Sequence, residues 1–97
     1  MLQTFIVKGS FQDSVSLMLV SRDLSKAGDV NRVSIMMGTP ANKEVFKETG
    51  MWSDALSDAG PNDICVAIDT PSNDPSIVER VRERMNEALR KMASSRK

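Results

Sequence analysis

Three short polar segments follow apolar runs and carry residue types that could bind a small molecule. They are residues 8–10 (Lys-Gly-Ser), 38–42 (Gly-Thr-Pro-Ala-Asn) and 69–72 (Asp-Thr-Pro-Ser). Glycine lets a ligand approach the backbone closely, and the free N–H groups at a helix start attract anions. The pattern therefore predicts a site for a small anion or an amide-bearing ligand, formed by Lys8, Gly9, Ser10, Gly38, Thr39, Asn42, Asp69 and Thr70.

Ordinary turn and capping chemistry is the competing explanation for these residues. Thr39 is a good N-cap residue, and Pro40 suits the first position of a helix because its missing N–H would be unpaired there anyway. Neither a G-x-x-x-x-G-K-[ST] nor a G-x-G-x-x-G motif occurs in the chain. The segments therefore indicate a candidate site without naming a reaction.

Histidine is absent from the 97 residues, and cysteine occurs once, at Cys65. The chain therefore lacks residues that are essential for a zinc site, a Ser-His-Asp triad, a Cys-His dyad or phosphohistidine chemistry. The apolar neighbours of Cys65 favour an inert buried thiol over a nucleophile. We expect neither a metal nor a cofactor to be bound by this chain, and whether it is an enzyme stays open.

Charge and aromatic content exclude several classes of partner. The chain has 13 basic and 13 acidic residues, with three Phe and one Trp, so neither nucleic acid nor an anionic membrane is expected as a partner. No apolar run approaches the length that spans a membrane, and a cytoplasmic location is expected. Trp52 either fills a small core or anchors a partner protein, since tryptophan is frequent at binding hot spots.

Hydrophobic periodicity predicts alternating strands and helices in one domain over residues 1–93, with a frayed tail at 94–97. The predicted elements are strands at 5–7, 30–37 and 64–69, helices at 13–27 and 40–49, a helical turn capped by Ser53, and a last helix from residue 75. The strand at 64–69 is almost continuously apolar, which is typical of a central strand covered on both faces.

This order predicts a small βαβαβα domain, an α/β fold with a three-stranded, mostly parallel sheet and three helices. In that arrangement the three polar segments would meet beyond the carboxyl ends of the strands. The alternative is a ferredoxin-like α+β fold with an inserted helix, in which strands one and two flank an antiparallel strand three and a fourth strand would follow Lys97. A sheet with so few strands also predicts a homodimer formed through a sheet edge.

Three ordered segments resemble the amino-terminal region of the FdrA proteins: residues 8–18 (KGSFQDSVSLM), 33–43 (VSIMMGTPANK) and 61–68 (PNDICVAI). The resemblance implies an acyl-CoA synthetase-like protein related to the succinyl-CoA synthetase alpha subunit. It also implies a place in allantoin catabolism, in a complex assigned carbamoyl transfer on oxamate. CoA would be bound by a module that family members carry after this region and that lies outside these 97 residues.

The resemblance therefore implies a non-catalytic docking or regulatory domain, with a CoA-binding or transferase subunit as its partner. The alternative is a domain that binds a small anion or carboxylate and contributes to carbamoyl or acyl transfer. No catalytic residue can be assigned from the resemblance.

Overall fold

The computed structural model describes residues 1–9, 12–26, 30–72 and 74–94. Its strands are β1 (Leu2–Val7), β2 (Arg32–Met37) and β3 (Ile64–Asp69), and its helices are α1 (Ser14–Ser25), α2 (Pro40–Glu48) and α3 (Pro75–Ser94), with a 3₁₀ turn at Asp54–Asp58. The order of elements is as predicted. Of the predicted tail at 94–97, Ser94 is the last residue of α3, and residues 95–97 lie outside the described residues. None of the helices in the described ranges has the length and apolar character needed to cross a membrane.

Side-chain caps fix where the helices begin. The Asp13 carboxylate accepts a hydrogen bond from the Ser16 N–H at 2.7 Å, and α1 starts directly after this residue. Thr39 caps α2 in the same way, with Pro40 as the first helical residue. Ser53 caps the 3₁₀ turn. Because a cap acts within one helical turn, these starts follow from local sequence alone.

The sheet has the order β1-β3-β2, and β3 runs antiparallel to both neighbours. The predicted mostly parallel sheet is therefore wrong. The chain after β2 does not cross to a new edge, because α2 and the 3₁₀ turn fold back over one face and bring β3 between the two earlier strands in the reverse direction. This strand arrangement is the one considered as the alternative.

Two apolar clusters cover the opposite faces of the sheet. The first cluster joins one face to α1 and α3, and the second joins the other face to α2 and the 3₁₀ turn. Their fully buried members include Leu17, Val20, Ile64, Val66, Val81 and Met85 in the first, and Phe46, Leu56, Cys65 and Ala67 in the second. The central, doubly covered position predicted for β3 is confirmed, since every residue from Ile64 to Ile68 is buried.

Candidate functional site

The direction of β3 separates the predicted ligand-binding residues into two groups. Val7 and Met37 both pair with Ile64, so β1 and β2 end where β3 begins. Asp69 pairs with Leu2 and Arg32 at the opposite end of the sheet. The convergence of three loops required parallel strands and does not occur. Lys8 and Gly9 lie at one end with Gly38, Thr39 and Asn42, Asp69 and Thr70 lie at the other, and Ser10 lies outside the described residues.

Asp63 organises the end of the sheet at which Lys8 and Gly9 lie. Its carboxylate accepts hydrogen bonds from the backbone N–H of Gly9 at 2.8 Å and of Gly60 at 2.9 Å. The Lys8 ammonium lies 3.6 Å from the same carboxylate. The bonds from Gly60 and Gly9, together with Lys8, lower the pKa of Asp63. The Gly9 N–H, which the sequence analysis predicted to bind a ligand anion, therefore donates to a carboxylate of the chain itself.

Gly38 is required by packing at the same end of the sheet. Its N–H donates to the Asp63 carbonyl at 2.9 Å. A Cβ at this position would lie 2.5 Å from the Gly60 carbonyl oxygen and 2.8 Å from the Ala59 Cβ. The close approach of the two chain segments therefore explains the glycine without a ligand.

Thr39 and Asn42 also make their hydrogen bonds inside the chain. The Thr39 hydroxyl accepts from the Asn42 N–H at 3.2 Å, and the Asn42 side-chain amide donates to the Met37 carbonyl at 3.0 Å. Capping thus accounts for both residues, and their role in binding a ligand stays a prediction.

At the far end of the sheet, Asp69 and Thr70 tie the start of β1 to the end of β3. The Gln3 amide donates to the Thr70 hydroxyl oxygen at 3.2 Å, and that hydroxyl donates to the Ser72 carbonyl at 2.6 Å. The Asp69 carboxylate lies 3.5 Å from the Met1 ammonium. Thr70 is completely buried, so its contacts are those of a structural residue.

Cys65, the second residue of β3, is inaccessible to solvent, as the sequence predicted. Its exposed fraction is 0%, and burial raises the pKa of its thiol. Within the described ranges, no group of three or more His, Cys, Asp or Glu side chains is placed to hold a metal ion. With one buried thiol and no imidazole in the sequence, the donor set does not fit a soft metal ion.

Serine side chains of α1 seal the outer edge of β2. The Ser25 hydroxyl accepts from the Val33 N–H at 3.0 Å and lies 3.2 Å from the Val33 carbonyl. The Ser21 hydroxyl makes the same pair of contacts to Ile35, at 2.9 Å and 3.4 Å. The Asn42 amide bonds the outward carbonyl of Met37. Sequence reasoning missed this device, and its only signal was the i, i+4 spacing of the two serines.

The outer edge of β1 has no partner strand within the described residues. The Thr70 N–H donates to the Met1 carbonyl at 2.8 Å, which sets the phase of the β1–β3 ladder. Because hydrogen-bonding direction alternates along a strand, the backbone groups of Leu2, Thr4 and Ile6 point away from β3. No other strand or side chain in the described part of the chain bonds these groups.

An apolar surface on α1 is also exposed. Val15, Met18 and Leu19, here called the α1 face, have exposed fractions of 66%, 67% and 44%. The α1 face adjoins a groove of about 320 Å³ lined by residues of α1, β2 and α2 that include Leu17, Met18, Ile35, Met36 and Asn42. The signal in the sequence was that these three apolar residues lie off the buried stripe of Leu17, Val20 and Leu24.

Trp52 is half-buried against the second cluster. The Lys47 ammonium lies 4.9 Å from the centre of its ring, a cation–π distance. These contacts agree with the core-filling alternative, and a partner-binding role for Trp52 stays a prediction.

Comparison with known families agrees with part of the resemblance seen in the sequence. The model of the AllF heavy metal-associated domain matches residues 1–97. No solved structure matches the chain significantly. The family match is consistent with the amino-terminal domain of an allantoin-pathway protein, and it does not extend to the acyl-CoA synthetases. The chain belongs to the AllF heavy metal-associated domain family.

Proposed function

We propose that this chain is a non-catalytic docking or regulatory domain of an acyl-CoA synthetase-like assembly in cytoplasmic allantoin catabolism. Its partner is a CoA-binding or transferase subunit, and the α1 face is the surface that docks on it. The assignment to the synthetase assembly rests on the FdrA resemblance. The role of a small domain in the allantoin pathway rests on the family match.

The observation that carries the proposal is the exposure of Val15, Met18 and Leu19 next to a groove. Soluble domains seldom expose adjacent large apolar side chains, and such patches are typical of protein-binding sites. Methionine suits this role because its unbranched side chain adapts to different partners. Burial of the α1 face on a partner removes it from water, which drives association.

The polar groups of this domain support a non-catalytic role. Asp63 is engaged by Gly9, Gly60 and Lys8, and Cys65 is buried with a raised pKa. A catalytic acid, base or nucleophile has to reach a substrate, which neither group does. The family description names heavy metals, but the donors of this chain do not fit one, so no step of the proposal passes through a metal.

The test is a calorimetric titration of this chain into the acyl-CoA synthetase-like module of the same organism. We expect saturable binding, and we expect Met18→Glu to weaken it about tenfold or more by placing a charge in an apolar interface. The matched control is Asn86→Glu, which adds the same charge at an exposed position of α3. Equal affinities of the Met18→Glu variant and the wild type would refute the docking surface.

A second measurement separates docking from catalysis. The turnover number of the saturated complex, measured with carbamoyl phosphate and oxamate, should be unchanged by Asp63→Asn, provided that this variant keeps a cooperative thermal melt. A loss of turnover without loss of binding would contradict the non-catalytic role and favour the anion-binding alternative.

A further inference from the structure

We propose that the groove along the outer edge of β2 binds a small neutral molecule that carries a carbonyl oxygen and a short apolar chain. The oxygen accepts a hydrogen bond from the backbone N–H of Met37, and the apolar chain lies in the groove of about 320 Å³ described above. This inference goes beyond the docking role, since it requires no partner protein and can be tested on the chain alone.

The series of serine contacts along β2 ends one step before Met37. Serine side chains of α1, four residues apart, bond the backbone groups of Val33 and Ile35, which are two residues apart on the strand. The next place in this series pairs Leu17 of α1 with Met37, and both residues line the groove. Because a leucine side chain has no hydrogen-bonding group, α1 cannot complete the series at Met37.

The N–H of Met37 has no partner among the residues that the structure describes. The neighbouring Gly38 N–H donates to the Asp63 carbonyl, so the backbone groups of Met37 point away from β3, on the side where the groove lies. The Met37 carbonyl accepts from the Asn42 side-chain amide at 3.0 Å, and this bond leaves the N–H open. Met37 has an exposed fraction of only 6%. Because a buried N–H without a partner costs free energy, binding of an acceptor there is favourable.

The lining of the groove sets the chemical class of the ligand. None of the described residues that line it is charged, and most are apolar. A carboxylate bound there would lose its hydration without gaining a counter-ion, which is unfavourable. An alkylammonium ion has donors and no acceptor, so it cannot bond the Met37 N–H. A neutral amide or ester carbonyl supplies the acceptor without burying a charge.

The size of the groove and the bonding of β2 favour a small molecule over a peptide strand. A volume of about 320 Å³ lies at the lower end of the range for small-molecule sites, about 300–1,000 Å³. A strand added to β2 would need the outward groups of Val33 and Ile35, which the serines of α1 already bond. An extended peptide would therefore gain a single main-chain bond, at Met37.

The experiment is an NMR titration of the isotope-labelled whole chain with hexanamide, a neutral amide with a short alkyl chain. A ligand of this size binds weakly, so we expect a dissociation constant in the millimolar range. The amide proton of Met37 should move downfield and saturate as it gains a hydrogen bond. Hexanoate and hexylammonium at neutral pH have a similar chain and should bind at least about fivefold more weakly, because one is a carboxylate and the other lacks an acceptor.

A matched pair of variants locates the site. Ser34→Leu places a larger side chain in the groove and should abolish the shift at Met37, whereas Ser34→Ala loses the same hydroxyl without filling the groove and should bind hexanamide like the wild type. Cooperative thermal melts establish that both variants fold. The three probes on the wild-type chain decide the proposal if Ser34→Leu does not fold.

Three results would overturn the proposal. They are no saturable shift at Met37 with hexanamide, equal binding of the neutral and charged probes, and wild-type affinity in a folded Ser34→Leu variant. None of them affects docking through the α1 face, because that test uses the partner module and Met18→Glu. A failure of docking likewise leaves the hexanamide titration of the single chain unchanged.

Discussion

The two edges of the sheet carry strands of equal length and similar apolar character, yet the hydrogen bonding of their outward backbone groups differs. On β2, serine side chains of α1 bond both backbone groups of Val33 and of Ile35. On β1, the outward groups of Leu2, Thr4 and Ile6 have no partner in the described part of the chain. The helix packed along β2 therefore supplies the hydrogen bonds that a neighbouring strand would make. In the described part of the chain, no helix does the same for β1.

The difference has a functional consequence. An open edge is a template for another strand, and a sealed edge is not. Among the described strands, β1 alone offers an edge at which a further strand can pair. Changes at the sealed edge should therefore act mainly on the free energy of unfolding, and changes at the open edge mainly on association.

The largest expected effect is at the glycines where the two edge strands end. Gly38→Ala should lower the free energy of unfolding by about 3 kcal/mol, because its Cβ meets the Gly60 carbonyl at 2.5 Å. Gly9→Ala should cost only about 1–2 kcal/mol, since Gly9 has open space and only its positive φ of 62° resists a side chain. Urea titration of both variants measures the difference in the free energy of unfolding. Equal losses would show that the turn after β2 rearranges to accommodate a methyl group at Gly38.

Removal of the seal on β2 should have the next largest effect. Ser21→Ala leaves the Ile35 N–H and carbonyl without a partner, which should cost about 1–3 kcal/mol by urea titration. The double variant with Ser25→Ala should also associate with itself, because the outward groups of Val33 and Ile35 are then free to pair with another strand. Ser34→Ala, which leaves the outward groups bonded, is the control. A double variant with wild-type stability and mass would mean that the serines do not seal the edge.

The Asp63 carboxylate should make stability depend on pH. Its pKa is lowered in the folded state, so its stabilisation is complete above the ordinary carboxyl pKa of about 4. This contribution is lost as the pH falls through the lower folded value. Thermal melts from neutral to acidic pH should show a steeper loss of Tm in the wild type than in Asp63→Asn. Parallel curves of Tm against pH would indicate that the hydrogen bonds from Gly9 and Gly60 to the Asp63 carboxylate do not form in solution.

The smallest expected effect on the single chain is that of a proline on the open edge. Thr4→Pro should change the free energy of unfolding by less than about 1 kcal/mol at low concentration, since the Thr4 N–H bonds no group in the described part of the chain. Gln3→Pro should cost about 3 kcal/mol, because that N–H faces β3. Denaturant titrations compare the free energies of unfolding of the two variants. Equal losses would contradict the assigned phase of the ladder.

Part of the candidate site could be read from the sequence. The Thr39 cap and the proline that follows it lie where predicted, because a cap depends on contacts within one turn. Asp63 could not be identified as the residue that holds Gly9, since the two residues are 54 positions apart and meet only through strand pairing. For the same reason the sequence grouped Asp69 and Thr70 with Gly38, although they lie at opposite ends of the sheet.

The sequence by itself determined the elements of this protein. The bounds of β3, the start of α2 at Pro40 and the central position of β3 follow from hydrophobic pattern and capping, which are local. Only the tertiary structure decided the direction of β3, the separation of the predicted ligand residues and the difference between the two edges. These depend on which face α2 and the 3₁₀ turn cover and on where α1 lies along β2. Contacts between segments distant in sequence determine both the face that α2 covers and the position of α1 along β2. Such contacts produce no periodic pattern in the sequence from which they could be predicted.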